Sequence, residues 1–185
     1  MSTIKIYPGM TDSATEFFVE NDNLKIINAG VVKNFTEISF ATISLLKEKI
    51  QESKEINLAL HDMHPVSEMK RIEQFVRCRF GGLDFQADIL DNEFQDGEFW
   101  ECPNRGTCPH EGTLCKLPLI NEHRLTNQEV QLMQLTASNK TNEVIADEMD
   151  LAFGSFHLFK KLLYKILNVQ TKQEIAIISH NLNLI

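Results

Sequence analysis

The sequence predicts an α+β N-terminal domain with a cysteine-rich loop segment, followed by an all-α C-terminal domain of four helices. Three observations predict it. Short alternating apolar runs mix with helical periodicities before residue 98. Prolines, glycines and cysteines then crowd residues 98–120. Residues 121–185 hold a single glycine, Gly154, and no proline. A change of composition on this scale marks a boundary near 118–124, which gives domains 1–120 and 121–185.

The elements follow in order. Thr3 to Tyr7 alternates Ile4 and Ile6, as a short strand does. Residues 36–53 carry Ile38, Ala41, Leu45, Leu46 and Ile50 at helical spacing, and Asn34 with Glu37 resembles a capping box. Ile56, Leu58 and Leu60 alternate again, which predicts a strand. Pro65 and Ser67 open a helix with Met69, Ile72, Phe75 and Val76 inward, and Gly81-Gly82 closes it. Leu83, Phe85, Ala87 and Ile89 alternate with polar residues and predict a half-buried strand.

Composition excludes several classes. The 185 residues are 43% hydrophobic and 24% charged, which excludes bulk disorder. The formal charge of -8 excludes a uniformly basic coat for nucleic acid. No apolar run approaches the roughly 18–20 residues that cross a bilayer. The N-terminus lacks a basic flank and apolar core of secretory type, so a cytoplasmic location is expected. The charge is uneven: residues 1–120 carry net -7 and residues 121–185 net -1. Leu151 to Gln173 holds Lys160, Lys161, Lys165 and Lys172 and no acid. Asp84 to Glu101 holds seven acids and no Lys or Arg. This asymmetry fits a polyanion-binding end behind a different front end; ordinary solvated faces fit it too.

The four cysteines lie between 78 and 115. Cys102, Cys108 and Cys115 form a C-x5-C-x6-C run, with Pro103 and Pro109 directly after the first two. Thiolates suit zinc or an iron–sulfur cluster, and four close a tetrahedral site with no open position. Cys78, Cys102, Cys108 and Cys115 are therefore candidate metal ligands, with His110 as a spare nitrogen. Zinc is the first candidate, an iron–sulfur cluster the second, and four free thiols the alternative. The spacings are wider than zinc-ribbon knuckles, and cytosolic context argues against disulfides.

The C-terminal helices start sharply. Thr126-Asn-Gln-Glu129 and Thr171-Lys-Gln-Glu174 are capping boxes, and Thr141 or Asn142 caps a short helix between them. On the next helix Phe156, Phe159, Leu163, Ile166 and Leu167 fall on one side, joined by Leu158 and Leu162. His157, Lys160, Lys161, Tyr164 and Lys165 fall on the other. One apolar half and one basic, acid-free half fit a major-groove reader, and equally a surface helix with solvated lysines.

From Leu125 onward the chain resembles the LuxR-type, or GerE-like, helix-turn-helix domain. Leu125-Thr126-Asn-Gln-Glu129 matches the family's opening Leu-Thr-x-x-Glu, and Ala137 with Asn142 its Ala-to-Asn stretch. Ile145-Ala146-Asp-Glu-Met149-Asp-Leu151 matches its scaffold helix, and Leu167-Asn168-Val169 the end of its recognition helix. Thr171 to Asn181 matches its dimerisation helix. The resemblance covers about 60 residues without a gap. Across the turn the family carries Ser-x-x-Thr-Val-Lys-x-His; here Ala152 replaces the capping serine, His157 the lysine and Phe159 the histidine.

The resemblance implies a bacterial transcriptional regulator that binds double-stranded DNA as a homodimer, with a recognition helix at about 155–167. Lys160, Lys161 and Lys165 would meet phosphates, Ser155, His157 and Tyr164 base edges, and Lys140 and Asn142 the backbone. The alternative is a protein–protein module, a partner of another regulator, that keeps the fold without DNA. No catalytic role is expected: no Walker loop, G-x-G-x-x-G, G-x-S-x-G or H-E-x-x-H occurs. His61-Asp62-Met63-His64 reads as loop histidines after a strand. Trp100 reads as a partly buried anchor for the cysteine loop.

Overall fold

The structure, a computed structural model, describes residues 6–185. Its contacts divide the chain into one unit that ends at Lys116 and a second, Leu117–Ile185. The candidate strand at Thr3–Tyr7 lies largely outside the described residues; Ile6 and Tyr7, which are described, are not in a strand.

The first unit is built on an antiparallel sheet of order β3-β2-β1-β4-β5. β1 (Thr15–Glu20) pairs with β2 (Asn23–Asn28) along its whole length, Phe17 facing Ile26, and β2 pairs with β3 (Val31–Asn34). β4 (Ile89–Leu90) and β5 (Glu93–Phe94) extend the other edge. The connecting turns are two residues long. Asn21-Asp22 form the first, Ala29-Gly30 the second and Asp91-Asn92 the third, all at positive φ. Both central positions of such primed turns need that conformation, which Asn, Asp and Gly tolerate best.

A 3-10 turn, Phe35–Glu37, precedes α1 (Phe40–Gln51). The Asn34–Glu37 pair caps that turn, while Ser39 caps α1 by accepting Thr42 N–H at 3.1 Å. The helix expected over 36–53 is thus split, because extended Ile38 intervenes. Residues 54–63 correct the sequence reading. They form helix α2 (Lys54–Met63), capped by Ser53, and not a strand. Ile56, Ala59, Leu60 and Met63 share the inward face at helical spacing, and Leu58 is 60% exposed. α3 (Glu68–Arg79) starts at Ser67 as expected, although Met69 points outward. Helices α1, α2 and α3 pack on one another and α3 packs on β1. Phe17, Leu46, Leu60, Ile72, Val76 and Phe80 form the centre of this core.

The strand expected over Leu83–Ile89 is mostly loop, with strand only from Ile89. Phe85 is exposed, while Asp84 and Asp88 are buried. Backbone N–H to carboxylate bonds hold this stretch, such as Gln86 N–H to Asp84 Oδ1 at 2.5 Å, in place of ladder bonds.

The second unit opens with a hairpin of β6 (Leu119–Ile120) and β7 (His123–Arg124). Next come α4 (Asn127–Ala137), α5 (Asn142–Glu148), α6 (Phe153–Leu167) and α7 (Lys172–Asn181). Both capping boxes form: Thr126 and Thr171 accept the N–H of Glu129 and Glu174, whose carboxylates reach back. α4 packs on α7, and α5 on α4 and α6. Leu125, Leu132, Met133, Ile145, Phe156, Leu163 and Ile175 are fully or almost fully buried. No helix among the described residues is long and apolar enough to cross a membrane.

Candidate nucleic-acid interface and cysteine cavity

A four-residue link, 149–152, joins α5 to α6, with Asp150 at positive φ. Ala152 caps α6 without a side-chain bond, so Phe153 starts the helix two residues before the expected Ser155. Asn168 ends it in the left-handed conformation, and Val169 N–H reaches back to the Tyr164 carbonyl at 3.0 Å. This is a Schellman-type end. It explains Asn168 in the Leu167-Asn168-Val169 sequence: asparagine tolerates the left-handed conformation that the helix end needs.

Phe156, Leu163 and Leu167 anchor α6 in the core. Phe159 and Ile166 are half-buried, and Leu158 and Leu162 are exposed at 61% and 51%. Lys161 and Lys165 are exposed on the same face, with no acid anywhere on the helix. The outer face is therefore mixed basic and apolar, not purely basic.

The other candidate residues differ in their surroundings. Ser155 is exposed in the first turn, and His157 is exposed with its ring edge-on to Phe153 at 4.3 Å. Lys160 is half-buried and donates from Nζ to Asn142 Oδ1 at 3.0 Å. Its ammonium also lies 5.3 Å from the centre of the Tyr164 ring. Burial, helped by Lys172, holds the Lys160 ammonium below its ordinary value. Burial and Glu174 raise the Tyr164 phenol. Lys140 is paired with Glu148 at 2.6 Å. Thr141, not Asn142, is the cap of α5. Two residues outside the sequence expectations shape the site. Lys172 donates to the Lys140 carbonyl at 3.0 Å, and Asn121 donates to the Ile166 carbonyl at 2.9 Å. Neither contact had a sequence signal, since each spans 32 residues or more.

In the first unit Cys78, Cys102, Cys108 and Cys115 line one small cavity of about 20 Å³ with Trp100, Arg105 and Leu114. The volume suits one atom or water. All four thiols are free. Gln74 Nε2 donates to Cys78 Sγ at 3.1 Å. Burial pushes the Cys78 thiol up to about 11, and the other three sulfurs act on it in the same direction. Trp100 reaches the cavity because Gly81 leaves room: a Cβ there would meet the indole at 2.6 Å. His110 also lines the cavity, and its Nε2 lies 2.9 Å from Asp62 Oδ2 on α2. Among the described residues, the ligand atoms that all fall within 4.8 Å of one another belong to Glu16, Asp84 and Glu98 and not to the cysteines.

Comparison with curated proteins and with solved structures finds no match. Residues 123–179, within the C-terminal third of the chain, match the family model GerE, bacterial regulatory proteins of the luxR family.

Proposed function

We propose that this protein is a DNA-binding transcriptional regulator. α6 enters the major groove, and the first unit acts as a regulatory domain with a structural metal. The observation that carries the reading is the acid-free outer face of α6, with exposed Lys161 and Lys165, inside the segment that matches the luxR family. Lysine ammonium groups on such a face neutralise phosphates, while Ser155, His157 and Tyr164 are suited to base edges. α7 keeps Ile177 62% exposed, which supports association of two copies through that helix. The test is fluorescence anisotropy of a labelled duplex at several salt concentrations. Binding that weakens steeply with salt is expected. No binding at low salt overturns the DNA reading.

The cysteine cavity suits zinc by its donor set: four thiols, a Gln74 amide that donates to the Cys78 sulfur, and apolar walls. When bound, zinc would supply structural cross-linking and no catalysis. Cys78 would tie α3 to the 102–115 loop, whose turns would draw the other three sulfurs inward.

A second reading rests on Leu158 and Leu162. Their exposure on α6 also fits an apolar surface for another regulator. Leu158→Asp separates the two: loss of a protein complex with duplex binding intact favours the interaction module.

A further inference from the structure

Buried carboxylates are costly unless something offsets their charge. Several meet in the first unit, and none of them lines the cysteine cavity. Glu16 on β1 is 0% exposed, and Asp84 and Asp88 are buried in the loop after α3. Glu98, beyond β5, is half-buried. One carboxylate oxygen from each of Glu16, Asp84 and Glu98 lies within 4.8 Å of the other two.

Backbone N–H groups hold one oxygen of each carboxylate. Asp84 N–H donates to Glu16 Oε1 at 3.0 Å, Gln86 N–H to Asp84 Oδ1 at 2.5 Å, and Gly82 N–H to Glu98 Oε1 at 2.5 Å. Asp88 stands beside them, accepting Phe17 N–H at 2.6 Å. The decisive atom is Glu16 Oε2. It is shut off from solvent and has no hydrogen-bond partner. A buried carboxylate oxygen without a donor is an exception that calls for a ligand. The groups that act on these carboxyls are one another and backbone N–H groups, not a lysine or arginine. Burial foremost, with the neighbouring carboxylates, raises Glu16 to about 9 and Glu98 to about 10.

We propose that Glu16, Asp84 and Glu98 bind a hard divalent cation, and that the cation is calcium. An all-oxygen donor set selects hard cations over zinc. The spread of the three oxygens is no more than twice the calcium–oxygen distance of about 2.4 Å. Magnesium demands a regular octahedron and holds its waters, which a largely buried, irregular site does not provide. Glu98, being half-buried, gives the ion its entry path. The ion would fasten β1 to both ends of the 82–98 segment.

The test is equilibrium dialysis of the full chain against calcium and, separately, magnesium, with Tm followed alongside. One calcium per chain and a Tm that rises with calcium are expected. Glu98→Gln should weaken calcium binding about tenfold or more, with the circular dichroism of the calcium-free protein unchanged. Asp84→Asn gives the same reading where Glu98→Gln does not fold. Wild-type protein that takes up no calcium, with a constant Tm, overturns the proposal. So does unchanged affinity in both variants, and so does uptake of magnesium alone. Duplex binding is measured separately, so this outcome and that of the DNA reading are distinguishable.

Discussion

Lys160 Nζ donates to Asn142 Oδ1 at 3.0 Å, so two side chains that the sequence offers to DNA are bound to each other. The bond ties the middle of α6 to the first turn of α5. It leaves Lys161 and Lys165 as the exposed lysines of the helix.

Lys161→Ala and Lys165→Ala should each lower the slope of log affinity against log salt by about 1. Lys160→Ala should lower it by less, because its ammonium is half-buried and engaged within the domain. Anisotropy titrations over a salt series measure all three. Equal losses in the three variants would show that Lys160 leaves Asn142 for a phosphate in the complex.

The capping box at the start of α4 has a pH signature. Burial acts to raise the Glu129 carboxyl, but its bonds with His123 and with the Thr126 N–H and hydroxyl outweigh that and hold it below 4.5. A depressed folded value stabilises the fold above the unfolded value and ceases to do so as pH falls through the folded one. The second unit should therefore lose stability below about pH 4. Thr126→Ala should cost about 1 kcal/mol at neutral pH, read from denaturant unfolding of the full chain.

The same capping boxes show why so much of the second unit was legible in the sequence. Thr126–Glu129 and Thr171–Glu174 are local signals, three residues long in reach, and each starts the helix it announces. The first unit was less legible. Ile56, Leu58 and Leu60 alternate over five residues, a window that fits a strand, but Ala59 and Met63 complete a helical stripe. The alternation of Leu83 to Ile89 failed for another reason. The polar residues Asp84 and Asp88 are the buried ones, held by backbone N–H groups that no sequence period encodes. β1 to β3 went unread because their register depends on two-residue turns at Asn21-Asp22 and at Gly30. At the site, the lysines of α6 were visible as a set. Which of them is engaged was not, because the Lys160–Asn142 bond spans 18 residues.

The cysteine cavity predicts a bound metal. Elemental analysis of protein purified without oxygen should find one zinc per chain, and chelation should lower Tm. Cys108→Ser should reduce the zinc content. Metal-free protein with an unchanged Tm would remove the metal from the cavity.

The exposed leucines predict a division of labour on α6. Leu158→Asp alters a side chain that is 61% exposed, so folding stability should stay within roughly 0.5 kcal/mol. Leu163→Ala, in the core of the same helix at 0% exposure, should cost about 2–5 kcal/mol. Denaturant unfolding gives both numbers. A large loss in Leu158→Asp would mean that its surface is covered in the native protein.

The β6–β7 hairpin is the point of entry into the helical unit. Arg124 holds the Leu117 carbonyl at 2.6 Å, and the turn residue Asn121 holds the Ile166 carbonyl in the last turn of α6. The turn of the hairpin is thus fastened to the tail of that helix across 45 residues of sequence. α6 is anchored to the hairpin at one end, with Phe153 and Ser155 at the other.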